Sequence, residues 1–381
     1  MKKIKKKVNV AVIGARFMGK AHSNAWLNVA RFFDLPYEPV LKMICSRDGE
    51  DYNKNFAENW GYAEHCDDWH KAVDCKDIDI IDICTPPFLH KEITIAAVEA
   101  GKHILCEKPV AMNYHEAYEM AEAADKAGVL HYLNHNYRRV PAVALAKNII
   151  DEGKLGEIYH WRGAYLQDWA MDASIPLTWQ LTKELAGAGS HYDLASHSVD
   201  LARFLVGEVK SIQAMLKTFI TERVLPGESE KGQVSVDDAS FMTAEFENGA
   251  IGSFDISRMM AGRKNYNYFE VYGSKGSLVF NLENMNSLQY FNADDPQDLQ
   301  GYREIPATLT GHPYMSAWWP PGHIIGYEHV FSHAVKDFLD ALAGGNKIEP
   351  NLWDGVKIMQ TLDAAILSDK EGRRVNVSEV K

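Results

Sequence analysis

The chain contains no apolar run approaching the roughly 20 residues that a membrane-spanning helix needs. Nor do its first residues carry the apolar core of a signal peptide, since Val8 opens a strand-like run directly after a lysine-rich start. A cytoplasmic chain with no membrane partner is expected. Cysteine is scarce and odd in number. The five present, Cys45, Cys66, Cys75, Cys84 and Cys106, show no CxxC spacing, which favours reduced thiols over a disulfide framework or a zinc site. Three of them, Cys45, Cys84 and Cys106, close apolar runs, where cysteine serves as a small hydrophobe. The 15 histidines include no HExxH and no carboxylate cluster accompanies them, so no metal is expected. Basic charge is in deficit, with 40 Lys and Arg against 52 Asp and Glu and a net charge of -12. That balance excludes a nucleic-acid footprint, and the short terminal run Lys2 to Lys7 reads as a solvated tail. Internal repeats and low-complexity segments are missing too.

With 381 residues and 46% hydrophobic composition, the chain is long enough for two cores rather than one. From Val8 to about Asn134, short apolar runs (VNVAVI, PVLKMIC, DIIDIC, HILCE, VLHYLN) alternate with helix-like stretches. Such alternation builds a doubly wound parallel sheet, and runs that are apolar throughout fit strands covered by helices on both faces. Beyond Tyr137 come a helix over Ala142 to Asp151, a strand from Glu157 to about Gln167, a tryptophan-rich irregular stretch and a helix over Asp193 to Leu205. Period-two segments follow: SIQAMLKTFI, ASFMTAEFE, AIGSFDIS, YFEVYG and SLVFN. Those alternations predict a sheet with one covered face. The expected fold class is an α/β Rossmann-type domain over 1–136, followed over 137–381 by an α+β domain with a large, mainly antiparallel open sheet. Thr221 to Val234 and Asp294 to His323 read as long loops, and the uncovered sheet face as the interface of a homodimer or homotetramer.

Gly14-Ala15-Arg16-Phe17-Met18-Gly19 follows the first strand and opens a helix, the setting in which a glycine loop holds a pyrophosphate at a helix N-terminus. Arg16 stands where a second glycine lets the backbone approach the phosphates. At the end of the second strand, after the insertion Arg31 to Pro39, Ser46, Arg47 and Asp48 are the candidates for the adenosine ribose. An acidic residue in first place would favour the free ribose, Ser46 and Arg47 would accept a 2′-phosphate, and Asp48 leaves the choice open; NAD is expected and NADP is not excluded. Cys84-Thr85-Pro86-Pro87, with His90 one turn on, forms a further wall of the groove, Thr85 offering a hydroxyl.

His103-Ile104-Leu105-Cys106-Glu107-Lys108-Pro109 ends a strand with a lysine before a proline, which keeps Lys108 out of a following helix and at the strand's carboxyl edge. In the second domain, a glycine stretch leads to Asp193 and His197, four residues apart and so one turn apart on a helix. A carboxylate orienting an imidazole suits proton transfer at neutral pH.

Taken together, Glu107-Lys108-Pro109, Thr85-Pro86 with His90, Asn136-Tyr137-Arg138-Arg139 at the domain junction, and Asp193 with His197 resemble the Gfo/Idh/MocA family of sugar and inositol oxidoreductases over essentially the whole chain. Arg16 is the departure. The resemblance implies that Lys108 and His197 are the proton-handling pair, that Asp193 fixes the substrate or His197, and that the Lys108-Pro109 bond is strained or cis. It also implies that Gly14, Ala15, Arg16, Phe17, Met18, Ser46, Arg47, Thr85, Pro86, His90, Glu107, Lys108 and Asn136 hold the cofactor. Either Lys108 or His197 can be the base, the helix-borne imidazole being the better choice.

For substrate, the aromatic and amide side chains of Tyr165, Gln167, Trp169, Trp179 and Gln180, with Trp318-Trp319-Pro320-Pro321-Gly322-His323, suit a carbohydrate. Tyr137, Gln167, Trp179 and His323 join Lys108, Asp193 and His197 as candidate substrate contacts. Trp161 and Trp353 are expected to fill the core between the domains. The stretch Tyr165 to Trp179 and the late Trp-Pro-Pro-Gly-His tract are similar to the branch that includes levoglucosan dehydrogenase and glucoside 3-dehydrogenases. What this implies is oxidation of a secondary hydroxyl, at C3 of a glucose-like ring, glucoside or anhydrosugar, by hydride transfer to nicotinamide. The same residues leave open an NAD-dependent glycosidase that oxidises C3 transiently, an inositol dehydrogenase and, against the presence of Lys108 and His197, a non-catalytic nucleotide-sensing regulator.

Overall fold

A computed structural model describes residues 5–345 and 347–381; Lys2 and Lys3 of the basic run lie outside the described residues. The chain forms two compact units that interleave in sequence. Unit 1 takes Met1–Ala111, His115–Arg139 and Ile325–Val356, and unit 2 takes Met112–Tyr114, Val140–Ile324 and Lys357–Lys381. No helix among the described residues is long and apolar enough to cross a membrane.

Unit 1 runs β1 (Lys6–Ile13), α1 (Phe17–Phe32), β2 (Tyr37–Cys45), α2 (Glu50–Trp60), β3 (Glu64–Cys66), α3 (Trp69–Asp74), β4 (Ile80–Ile83), α4 (His90–Glu99), β5 (His103–Cys106), α5 (Tyr114–Ala127) and β6 (His131–Leu133). The six strands pair in parallel in the order β3-β2-β1-β4-β5-β6. Strand order therefore reverses between β1 and β4, the switch point outside whose carboxyl ends such sheets bind ligands. Every residue of β4 is buried, as a strand covered on both faces requires. The sequence pattern missed β3, which has only three residues and no apolar run.

A single cut after residue 136 does not describe how the chain is compacted, because the helix Tyr327–Gly344 returns to unit 1. Its apolar face needs a partner and finds α1: Phe338 meets Trp26 edge-on at 6.4 Å, and His333 meets Phe33 at 6.0 Å. Trp353 also belongs to unit 1, its indole nitrogen donating to Asp125 at 2.8 Å and its ring against Tyr118.

In unit 2 the order is α6 (Pro141–Asp151), β7 (Ile158–Leu166), α7 (Lys183–Ala186), α8 (Ser190–Asp193), α9 (Ala195–Leu205), β8 (Val209–Lys217), β9 (Glu222–Val224), β10 (Lys231–Gln233), β11 (Ala239–Phe246), β12 (Ile251–Ser257), β13 (Tyr266–Gly273), β14 (Gly276–Asn281), β15 (Ser287–Asn292) and β16 (Arg303–Pro306); after α10 (Tyr327–Gly344) of unit 1, α11 (Leu352–Glu371) leads back into unit 2, which ends with β17 (Val375–Asn376). Nine strands form one sheet in the order β16-β15-β14-β13-β7-β12-β11-β8-β17, antiparallel except where β7 lies parallel to β12. The chain between these two strands runs through α7 to α9 and then β8 to β11, ample length for the return that a parallel pair demands. The expected loops carry structure: β9 and β10 make a separate hairpin within Thr221 to Val234, and β16 lies in the later tract.

Trp161 is fully buried in the sheet core of unit 2 itself, stacked on Phe269 at 5.4 Å, with Phe280 against Phe269 at 5.2 Å. On the other face of the sheet, Met215, Phe241 and Ile251 stay 70%, 55% and 53% exposed. Replacing Trp161 by Ala is expected to destabilise the protein by about 3–5 kcal/mol, the cost of an aromatic cavity. Chemical denaturation followed by circular dichroism checks this, and a loss well under 1 kcal/mol would show that the sheet packs without the stack.

Candidate active site

At the first strand end, sterics dictate the loop. Gly14 has φ 111°, and a Cβ there would lie 2.5 Å from the Cys84 carbonyl oxygen; a Cβ on Gly19 would lie 2.0 Å from that of Gly14. The loop is thus pressed between β1, the start of α1 and the end of β4, and only glycine fits at either end. Arg16 turns away from the loop. Its guanidinium donates to Asp48 Oδ1 at 2.9 and 2.5 Å and lies over the Tyr52 ring at 5.0 Å, while the Tyr52 hydroxyl donates to the Ala15 carbonyl at 3.0 Å. The residue that breaks the fingerprint therefore clasps the glycine loop to the turn after β2. Within that turn the buried Ser46 hydroxyl lies 2.6 Å from Asn53 Oδ1 and 3.0 Å from Asp48 Oδ2, and Arg47 is exposed. Phe17 is 67% exposed and stacked on Tyr327, and Met18 packs on the core of unit 1.

His90 ties two strand ends together. Its Nε2 lies 2.8 Å from the Thr85 carbonyl and its Nδ1 3.0 Å from that of Pro109, and burial holds its pKa below the ordinary value. It thus positions the loops around Thr85-Pro86 and Lys108-Pro109 through their backbones. Thr85 Oγ1 is buried with no hydrogen-bond partner among the described residues, an orphaned donor of the kind that a ligand satisfies. The Lys108-Pro109 bond is cis. Lys108 stands just past β5, its backbone N–H donating to its neighbour Glu107 Oε2 at 3.1 Å. Asn136 and Tyr137 are buried beside Tyr327, whose phenol is driven up by burial and then by Tyr137.

Beneath this corner lies a network that the sequence reading missed. His22 on α1 places Nδ1 2.9 Å from both oxygens of Asp82 and Nε2 2.9 Å from Glu107 Oε1. Trp26 donates to Asp82 at 2.7 Å, and Asn134 donates to Glu107 at 2.6 Å. His22, Asp82 and Glu107 are 1%, 0% and 4% exposed. Burial alone would lower the His22 pKa, but the Asp82 carboxylate raises it well above 6.5, and the charged imidazole in turn brings Glu107 below 4.5 against the effect of burial. His22, Asp82 and Cys84 each bring a metal-ligand type of atom within 4.8 Å of the others. Both ring nitrogens and both carboxylate oxygens, however, already serve hydrogen bonds, so the set is an ion network. The one legible signal was Asp82 itself, a charge inside an apolar strand that has to be paired.

In unit 2 the expected helix from Asp193 to Leu205 is broken. Asp193 ends the short α8, Leu194 intervenes, and His197 sits in α9, so the two are not on one continuous helix face. Asp237 anchors the turn before them: its carboxylate accepts the backbone N–H groups of Gly189 and His191 and the Ser190 hydroxyl, each at 2.6–2.8 Å. The approach is so close that a Cβ on Gly189 would lie 1.8 Å from the Asp237 carbonyl oxygen. Asp193 accepts from Arg258 at 3.0 Å. Arg258 is 1% exposed, lies 5.1 Å from the centre of the Trp169 ring, and donates to the Gln180 carbonyl. Trp169 donates to Gln167 Oε1 at 2.9 Å, Gln167 donates to Asn265 Oδ1 at 3.1 Å, and the Tyr165 hydroxyl donates to the same oxygen at 2.7 Å. Tyr165 meets the His197 ring edge-on at 5.7 Å. Unit 2 thereby brings Tyr165, Gln167, Trp169, Asp193 and His197 into one connected wall. Trp179 stays 39% exposed, and His323 is exposed, its Nδ1 2.9 Å from the Pro320 carbonyl.

Residues 8–135 match the oxidoreductase family with an NAD-binding Rossmann fold, and residues 143–279 match the GFO/IDH/MocA C-terminal domain. The chain belongs to the Gfo/Idh/MocA family of oxidoreductases. Its N-terminal match is the NAD-binding domain of that family, and the crowded glycine loop and the orphaned Thr85 hydroxyl fit that cofactor. Among Gfo/Idh/MocA relatives, the chain is 41% identical to levoglucosan dehydrogenase of Pseudarthrobacter phenanthrenivorans over 98% of this chain and 99% of that one. It is 30% identical to D-glucoside 3-dehydrogenase of Escherichia coli over 71% of this chain and 80% of that one. A solved structure of levoglucosan dehydrogenase in complex with NADH and levoglucosan superposes with a TM-score of 0.95 at 42% identity, covering 97% and 99% of the two chains.

The ion network sets a pH dependence. The stability that charged His22 contributes is full below its ordinary value of 6.5 and is lost as pH rises through its raised folded value, whereas that of Glu107 is lost only as pH falls below the ordinary 4.5. Each such proton changes stability by up to about 1.4 kcal/mol per pH unit. Melting temperatures taken from mildly acidic to alkaline pH should therefore decline more steeply for the wild type than for His22→Gln; parallel curves would refute a charged His22.

Proposed function

We propose that the protein is an NAD-dependent dehydrogenase that oxidises a secondary hydroxyl, at C3, of a glucose-like sugar, glucoside or anhydrosugar. The observation that carries this reading is the wall around Asp193 and His197, in which tryptophan and tyrosine rings are linked by amides through Gln167 and Asn265. Rings take the C–H faces of a sugar, and fixed amides and carboxylates take its hydroxyls. The names of the two sugar dehydrogenases among the relatives point the same way.

Gly14 to Met18 at the N-terminus of α1 hold the pyrophosphate, where the backbone N–H groups and helix dipole favour an anion. Ser46 and Arg47 border the adenosine ribose, and Thr85, Pro86, Glu107 and Asn136 border the nicotinamide half. When bound, NAD supplies the two-electron acceptor for the hydrogen that leaves the carbinol carbon. His197 takes the hydroxyl proton as general base, and the Lys108 ammonium donates a hydrogen bond to the same oxygen as it becomes a carbonyl. Asp193 accepts hydrogen bonds from neighbouring hydroxyls. Tyr137 borders the ring, and Trp179 and His323 lie at the rim.

Lys108→Ala is expected to lower turnover by about 100-fold or more, the size of a lost proton-handling group, while NADH binding measured by fluorescence stays within a factor of a few of the wild type. An active variant would remove Lys108 from the chemistry. Levoglucosan, glucose, methyl glucosides and myo-inositol are to be tried with NAD and with NADP at the absorbance of NADH. Accumulating NADH with a keto sugar supports the dehydrogenase, whereas free sugar released from a glucoside without net NADH identifies the transient-oxidation glycosidase.

Self-association through the open face of the large sheet follows from the exposure of Met215, Phe241 and Ile251. Light scattering should find a homodimer or homotetramer that Phe241→Glu shifts toward monomer. A wild-type monomer would refute the interface.

A further inference from the structure

The polar wall of unit 2 contains one residue that no sequence motif marked. Arg258 follows β12 directly, and its own N–H is fixed to the Asp238 carbonyl at 2.9 Å. Its guanidinium is 1% exposed, and a buried guanidinium costs a great deal unless it is paired. Among the described residues its ion-pair partner is Asp193, at 3.0 Å. The other terminal nitrogen reaches the Gln180 carbonyl at 3.3 Å, and the planar cation lies 5.1 Å from the centre of the Trp169 ring. Asp193 faces outward from this contact with 37% of its side chain exposed, although its cation is buried.

That asymmetry is informative. Here a buried cation holds one oxygen of a carboxylate that is 37% exposed, which constrains the carboxylate's direction. The same cation supports the indole whose N–H starts the chain through Gln167 and Asn265 to Tyr165. One guanidinium therefore couples the acceptor that would take ring hydroxyls to the aromatic face on which the ring would lie.

We propose that Arg258 is the positioning residue of the sugar site, aligning the Asp193 carboxylate with a pair of vicinal hydroxyls and holding Trp169 as the stacking face beside them. The inference rests on the reading of the protein as a sugar dehydrogenase, and it names the substrate class more narrowly: a ring with adjacent hydroxyls and a C–H face. Arg258 acts in sugar binding, through Asp193 and Trp169, and takes no part in the proton or electron transfer.

The test is kinetic and uses the full chain with saturating NAD and whichever of levoglucosan, glucose or methyl glucoside the wild type oxidises. Arg258→Met removes the charge at similar volume. Loss of one charge-assisted contact should raise KM for the sugar about tenfold or more, while kcat at saturating sugar stays within about threefold, as for binding lost equally from ground and transition states. NADH binding and melting temperature serve as controls. Arg258→Lys, which keeps the charge and loses the planar fork, should recover part of the KM. In a double-mutant cycle with Asp193→Asn, the effects on KM should fall clearly short of additive. A wild-type KM in a folded Arg258→Met variant, or a loss confined to kcat, overturns the proposal. If Arg258→Met does not fold, Arg258→Lys decides: a severalfold higher KM with kcat preserved supports the role, and an unchanged KM overturns it. A wild type that oxidises none of the sugars removes the dehydrogenase reading and this inference with it, an outcome distinct from failure at Arg258 alone.

Discussion

One buried imidazole holds the carboxyl edge of the parallel sheet together. His22 sits between Asp82 of β4 and Glu107 just past β5, with Trp26 and Asn134 completing the shell. Two carboxylates this deeply buried would repel each other and lose their hydration; a shared cation, with donors from Trp26, Asn134 and the Lys108 backbone, makes their burial tolerable. Because Glu107 also accepts the backbone N–H of Lys108, the place of that lysine is set from inside the sheet. The proline after it restricts the backbone from the outside, and His90 fastens the Pro109 carbonyl to the Thr85 loop. Lys108 is thereby located by elements that belong to the fold.

The N-terminal half was legible because its physics is local. Apolar runs of strand length, separated by helix-length segments, admit few arrangements, and every strand of the parallel sheet except β3 falls where such a run is. Lys108 was legible for the same reason, since its constraint comes from the next residue. What escaped was long-range. Asp82 in DIIDIC announced that a charge needed a partner, but nothing local to it pointed to His22, 60 residues earlier. Arg258 lies 65 residues from Asp193, at the end of a strand whose alternation drew attention to apolar positions only. The parallel pairing of β7 with β12 was equally invisible, because alternation reports which face a side chain takes and not which strand lies beside it.

Spacing misled in one instructive place. Asp193 and His197 are four apart, which on an unbroken helix means one face; instead α8 ends at Asp193 and α9 begins at Ala195. Asp237 fixes the start of α8, its carboxylate gathering the backbone N–H groups of Gly189 and His191, and Leu194 separates α8 from α9. Asp193 pairs with Arg258, and the His197 ring meets that of Tyr165. At Arg16 the fingerprint also departs from its usual form, and the structure gives the departure a use: the side chain bridges the turns after β1 and β2 through Asp48.

The interleaving of the two units bears on how the chain is made. Unit 1 begins at the N-terminus but is completed by Ile325–Val356, and unit 2 is completed by Lys357–Lys381, whose β17 pairs with β8. Closing unit 1 requires Ile325–Val356 and closing unit 2 requires Lys357–Lys381, so a simple order in which an N-terminal domain folds before the next one is made does not describe these units. Until the helix Tyr327–Gly344 is made, the α1 surface around Trp26 lacks the edge-on partner that Phe338 provides.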